Sequence, residues 1–187
     1  MGYLNSEYKL LKQNDTAPEF LLWGVDEVYH SLQDIKGKKG TLIIFMCNHC
    51  PAVRPKLSEI KRIANDFKSQ GISVIGINSN ESESYPEDSF EKMKEYFKKW
   101  EIDFYYLHDD AQTVAKNYGV ACTPDPFFFD ANLNLVFHSR IDDTHLKPEA
   151  GKHEMYDAIA EFLEKGKISL KEQPSMGCSI KWRYSEM

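Results

Sequence analysis

The stretch Thr41-Leu42-Ile43-Ile44-Phe45-Met46, followed at once by Cys47-Asn48-His49-Cys50-Pro51, decides the reading of this chain. An unbroken run of this kind predicts a strand buried on both faces of a sheet. Beyond the cysteines, Val53, Leu57, Ile60, Ala64 and Phe67 recur at helical spacing, which predicts an amphipathic helix over 51–69 that closes at Gly71. Pro51 and Pro55 fall in its first turns, where a missing N–H is tolerated. Residues 72–77 predict a second buried strand, so the three elements form a right-handed parallel strand-helix-strand unit. Ligands of such units gather at the carboxyl ends of the strands, which is where the two cysteines stand.

Upstream, Phe20 to Trp23, Val28 to His30 and the turn residues between and after them predict a short hairpin before the main sheet. Downstream, a polar loop from Asn78 to Glu87 leads to a helix carrying the stripe Phe90, Met93, Phe97 and Trp100. A strand over 104–107 and a short helix over 112–118 ended by Gly119 come next. The strands 127–129 and 135–141 flank a turn and read as a hairpin, with Phe127 to Phe129 as core rather than a base-stacking platform. A last helix from about 148 to 165 rests on Met155, Ile159, Phe162 and Leu163. Residues 166–187 show no periodicity and read as a C-terminal tail on a single domain spanning 1–187, whose core is about 15–165.

C-x-x-C at a helix start suits thiol-disulfide exchange, which needs one thiolate to attack and a second thiol to resolve the mixed disulfide. First-turn N–H groups and the helix dipole favour charge on the first sulfur. This reading makes Cys47 the nucleophile and Cys50 the more buried resolver. His49, between them, is placed to stabilise the Cys47 thiolate, which makes the couple more oxidising. Half of a zinc site is the competing reading, but Cys122 and Cys178 stand alone and supply no second ligand cluster. His30, His108, His138, His145 and His153 show no metal-site spacing either, so no metal and no cofactor is expected. The second half-site is Thr123-Pro124, whose backbone, if the peptide is cis, turns outward to pair with an extended substrate segment.

The 187 residues carry 29 acidic and 23 basic side chains, a net charge of -6, which excludes a phosphate-backbone partner. The longest apolar run, Leu42 to Cys47, is far short of the roughly 20 residues that span a bilayer, and residues 1–20 lack a signal-peptide core. Met1-Gly2-Tyr3-Leu4-Asn5-Ser6 fits the loose myristoylation pattern, against which an ordinary cytosolic N-terminus is the plainer reading. The expectation is a cytoplasmic protein with neither a nucleic-acid nor a membrane partner. Four cysteines in such a compartment point to function rather than to a disulfide framework.

With both half-sites in view, the chain resembles the thioredoxin-fold redoxins, in particular the peroxiredoxin-like (AhpC/TSA-like) proteins related to alkyl hydroperoxide reductase. The matching residues are Ala17-Pro18-Glu19-Phe20, Cys47 to Pro51 with the strand before them, Tyr118-Gly119-Val120 and Thr123-Pro124. The resemblance implies an α/β thioredoxin-like fold, a central mixed sheet flanked by helices, with an N-terminal extension and a cis Pro124 beside the active-site pair. Met46 stands where thioredoxins carry tryptophan, and Thr41 where they carry a buried acid that assists proton transfer. His49 and Glu81 are the candidate replacements for that acid. Against the peroxiredoxin pattern P-x-x-x-T-x-x-C ending at Cys50, Cys47 replaces the threonine and Ile43 the proline, which argues against a peroxide pocket.

Cys122, next to Thr123, should lie near the site, and the 12 residues from Gly166 to Cys178 can span about 40 Å, enough to return there. For each, a small buried hydrophobe is the plainer reading and an auxiliary thiol the alternative. The leading expectation is a thiol-disulfide oxidoreductase acting on protein or small-molecule disulfides and recharged by an upstream thiol reductant. A thiol peroxidase is the second, and a soft-metal module holding Cu(I) or zinc through Cys47, His49 and Cys50 is a third of a different class.

Overall fold

The computed structural model describes residues 3–6, 10–144 and 149–183. Its strands are β1 (Tyr3–Asn5), β2 (Leu21–Gly24), β3 (Tyr29–Ser31), β4 (Gly40–Phe45), β5 (Ile72–Asn78), β6 (Tyr105–His108), β7 (Cys122–Thr123), β8 (Asp125–Asp130), β9 (Leu135–His138) and β10 (Met176–Ser179). The helices are α1 (Leu32–Ile35), α2 (Leu57–Lys68), α3 (Phe90–Lys99), α4 (Thr113–Tyr118) and α5 (Glu154–Lys165), with single 3-10 turns at Arg54–Lys56 and Pro86–Asp88.

Seven strands form the main sheet in the order β3-β2-β6-β5-β4-β8-β9. β4, β5 and β6 run parallel, and the flanking pairs are antiparallel. β4 is central because every one of its residues is buried: Leu42 and Ile44 face the layer of α2 and α5, while Ile43 and Phe45 face α4, α1 and the lead-in. Each such aliphatic or aromatic side chain contributes about 1.5–3 kcal/mol on burial. This is the mixed, helix-flanked sheet that the sequence predicted. Among the described residues no helix is long and apolar enough to cross a membrane.

Three differences bear on the site. The strand expected to run to 141 ends at His138, because Arg140 N–H and the Ser139 hydroxyl turn to the carbonyl of Gln173 (2.9 and 3.1 Å). The last helix begins at Glu154, and residue 148 lies outside the described residues, as do His145 and the Met1-Gly2 start of the myristoylation pattern. The stretch expected to be a tail carries β10, which pairs with β1 on one side and β7 on the other in a second, three-stranded sheet.

Candidate active site

The Met46 N–H bonds to the Ile77 carbonyl (2.9 Å), and the chain leaves the sheet at Cys47. No α-helix starts there. Val53 N–H reaches the Cys50 carbonyl (3.1 Å) and Lys56 N–H the Val53 carbonyl (3.0 Å), two three-residue turns that precede α2. Pro51 and Pro55 supply no N–H, so a four-residue ladder cannot begin before Leu57, and the helix predicted over 51–69 is six residues shorter at its start. The dipole of α2 fades within its first turn and does not reach Cys47.

The N–H groups that follow Cys47 are spent on Asp88. This carboxylate, fully buried, accepts from Asn48 N–H (2.8 Å) and His49 N–H (3.2 Å) through Oδ1, and from Asn80 Nδ2 (2.7 Å) through Oδ2. The same Oδ2 takes Nδ1 of the His49 ring. Asn48 anchors the turn, donating to the Glu87 carbonyl (2.9 Å) and accepting from the Tyr106 hydroxyl (2.7 Å). The His49 ring stacks on Tyr85, with centroids 5.6 Å apart. Asp88 holds the His49 pKa above its ordinary value, and partial burial and Lys181 oppose it.

Asp88 therefore stands where the sequence offered Glu81. The Glu81 carboxylate caps its own loop at the N–H groups of Glu83 (2.9 Å) and Ser84 (3.1 Å). Thr41 is likewise structural, accepting from Gly37 N–H (3.0 Å). The only signal for Asp88 was its place, an acid just before the helix-capping Ser89 on the loop that follows β5.

Cys47 and Cys50 are both wholly buried free thiols, so neither is the more buried. Cys47 Sγ lies 3.3 Å from the Thr123 hydroxyl, and Cys50 Sγ lies 3.4 Å from the Thr123 carbonyl. The Thr123–Pro124 peptide is cis. Burial pushes the Cys47 thiol up well above its ordinary value, helped by its role as donor to Cys50 and by the charge of Asp88. Cys50 is pulled down to about 5, first by the Cys47 thiol, then against burial by the Cys178 thiol, Thr123 and the Cys178 N–H. These influences lower Cys50 and raise Cys47, the opposite order to the one expected for a dithiol at a helix start. Locally, the N–H groups meant for Cys47 bond the Asp88 carboxylate instead.

The Thr123 edge, expected to take an extended substrate, holds β10 of the same chain. Cys178 stands opposite Thr123 and Ser179 opposite Cys122 in antiparallel register. Gly177 lets the backbones approach, since a Cβ there would meet the Thr123 carbonyl oxygen at 1.9 Å. The Ser175 hydroxyl donates to the Pro124 carbonyl, and Lys181 N–H bonds Asn80 Oδ1 (2.9 Å). Cys178 therefore reaches the dithiol, whereas Cys122 faces the Ser175 carbonyl (3.9 Å) and is pushed up by burial, as a buried small side chain is.

The remaining histidines pair locally: His30 with Asp26 (2.8 Å), His138 with buried Asp125 (2.7 Å), and His153 with Glu59 (3.1 Å), while His108 stacks on Phe90. Cys47, His49 and Asp88 can each turn one ligand atom to a point, all within 4.8 Å of one another, a thiolate, imidazole and carboxylate set suited to zinc. Cys50 is not part of that set. A cavity of about 630 Å³ lies elsewhere, between the Lys36–Lys38 turn, the end of α2 and the start of β5.

Residues 13–138, well over half of the chain, match the family described as the AhpC/TSA family. The chain is 39% identical to a protein from Geobacillus kaustophilus whose crystal structure is titled that of an uncharacterized conserved protein. The two superpose with a TM-score of 0.92 over 99% of this chain and 98% of that one. It is 23% identical to the thiol-disulfide oxidoreductase ResA of Bacillus cereus over 72% of this chain and 73% of that protein. It is 27% identical to the chloroplastic peroxiredoxin Q of Sedum lineare over 62% of this chain and 58% of that protein.

Proposed function

We propose that this chain, which belongs to the AhpC/TSA family and has its thioredoxin-like fold, is a thiol-disulfide oxidoreductase working through Cys47 and Cys50. The observation that carries the reading is the convergence of both sulfurs on Thr123, at 3.3 and 3.4 Å. A dithiol held this way closes into one small ring on oxidation.

The exchange runs in two balanced steps. The Cys50 thiolate attacks one sulfur of a substrate disulfide, the mixed disulfide forms, and the second substrate sulfur leaves as a thiolate. His49, held cationic by Asp88, gives that leaving group its proton. Cys47 then passes its proton to the neutral imidazole and attacks Cys50 Sγ, which releases the reduced substrate and closes the Cys47–Cys50 disulfide. Two electrons have passed to the substrate, and a thiol reductant upstream restores the pair. Both sulfurs are buried, so a strand-like substrate displaces β10 from Thr123.

Reduced protein treated with oxidised glutathione should lose two thiols and form the Cys47–Cys50 disulfide, insensitive to chelator. The peroxidase reading is favoured by the position of Cys50, which ends the peroxidatic pattern and whose thiol is pulled down by its neighbours. Rapid turnover of hydrogen peroxide without disulfide exchange would replace the leading reading by that one. Stoichiometric zinc or copper binding with neither activity would replace both.

A further inference from the structure

The dithiol does not face solvent or an empty groove. It faces a third cysteine on a strand docked as an extended substrate would be. We infer that Cys178 is a third redox-active cysteine, which exchanges with the Cys47–Cys50 disulfide and forms a disulfide with Cys50.

Two independent features place it. The register sets Cys178 opposite Thr123, the residue on which both active-site sulfurs converge. Gly177 is the residue that permits this approach, because any side chain there would collide with the Thr123–Pro124 backbone. Cys178 is buried in the same cluster of side chains as Cys47 and Cys50. The segment is also fastened on both sides: Ser175 N–H to the Ser6 hydroxyl (2.8 Å) before it, and Ile180 N–H to the Ala121 carbonyl (3.3 Å) after it.

The step balances without an external oxidant. Cys178 attacks Cys50 Sγ, the Cys50–Cys178 bond forms, the Cys47–Cys50 bond breaks, and the proton lost by Cys178 ends on Cys47. No electrons enter or leave. Burial raises both Cys178 and Cys47, so the exchange replaces one buried thiol by another. The product ties β10 covalently over the Thr123 edge, whereas the reduced or Cys47–Cys50 state leaves β10 free to be displaced.

The inference rests on the redox role of the dithiol, and the test separates the two. The variants Cys47→Ser, Gly177→Ala and Cys178→Ser, with the wild type, are oxidised by oxidised glutathione and mapped under non-reducing conditions after tryptic digestion. Cys47→Ser should yield the peptide of Cys50 linked to that of Cys178, and the wild type should show this link beside Cys47–Cys50. In Gly177→Ala the link should form on the order of 100-fold more slowly, as a misplaced reacting pair does, while the Cys47–Cys50 bond still forms and reports an intact fold. An unchanged rate there overturns the role given to β10. If Cys47→Ser carries glutathione on Cys50 and Cys178 stays free to alkylate in every variant, the inference fails while the proposed function stands. If Cys178→Ser forms no Cys47–Cys50 bond and no variant forms the Cys50–Cys178 link, both fail.

Discussion

Asp88 bonds His49 twice, taking its backbone N–H on Oδ1 and its ring Nδ1 on Oδ2. One buried carboxylate thus sets the turn that carries the dithiol and the charge of the imidazole beside it. It also removes from Cys47 the N–H groups that would otherwise favour a thiolate there, and adds a negative charge near that sulfur. Asp88 thereby adds to the effect of burial in raising Cys47.

Asp88→Asn should therefore lower the pKa of His49 and of Cys47 together. The His49 value is raised in the folded protein, so its contribution to stability is present below the unfolded value of about 6.5 and is lost as pH rises through the folded one. The variant should lose that extra stability on the acid side and show a flatter pH profile in urea unfolding. Ring-proton NMR on His49 reads the shift directly, and an unmoved titration would show that Asp88 does not control the imidazole.

The placement of charge on Cys50 predicts which variant traps a substrate. In a Cys178→Ser background, Cys47→Ser should hold a mixed disulfide at Cys50, because the attacking thiolate remains and the resolver is gone. Cys50→Ser should not react at neutral pH. Trapping by the Cys50→Ser protein alone would restore the assignment of Cys47 as nucleophile.

Much of this was legible in the chain. The run Thr41 to Met46 reads as a central strand because it lacks alternation, and Thr123-Pro124 reads as the second half-site from its neighbours. Pro51 and Pro55 misled the helix start, since a proline fits an α-helix first turn as well as a 3-10 turn. Asp88 was hidden by distance, 39 residues from His49, on a loop where acids are ordinary. β10 was hidden because Met176-Gly177-Cys178-Ser179 shows no periodic pattern and owes its strand to partners far away in sequence.

The segment that follows the dithiol is pinned by a buried ion pair between Lys56 and Asp142, in which Lys56 also donates to the Thr144 hydroxyl (2.9 Å). Lys56→Met leaves a buried carboxylate without its cation and should cost about 3–5 kcal/mol in urea unfolding. Lys56→Met with Asp142→Leu should recover most of that loss, because the desolvation penalty goes with the second charge. A loss below about 1 kcal/mol for Lys56→Met would mean the pair is solvated in solution.

The pH dependence of the redox potential tests the electrostatics of the site without any variant. The oxidised pair binds no protons, and the reduced pair binds two below the Cys50 pKa of about 5 but one above it, until the raised Cys47 titrates. For a two-electron couple each proton contributes about 30 mV per pH unit, so the potential should fall by about 59 mV per unit below pH 5 and by about 30 mV per unit from there past neutrality. The Cys50 thiolate also helps hold the His49 proton, so repeating the titration on His49→Ala isolates the thiol contribution. Alkylation of the reduced protein should rise with the same midpoint near pH 5, because only the thiolate reacts. A slope of about 59 mV per unit through pH 8 would mean that both thiols stay protonated at neutral pH, and the stabilised Cys50 thiolate on which the proposed attack depends would be gone.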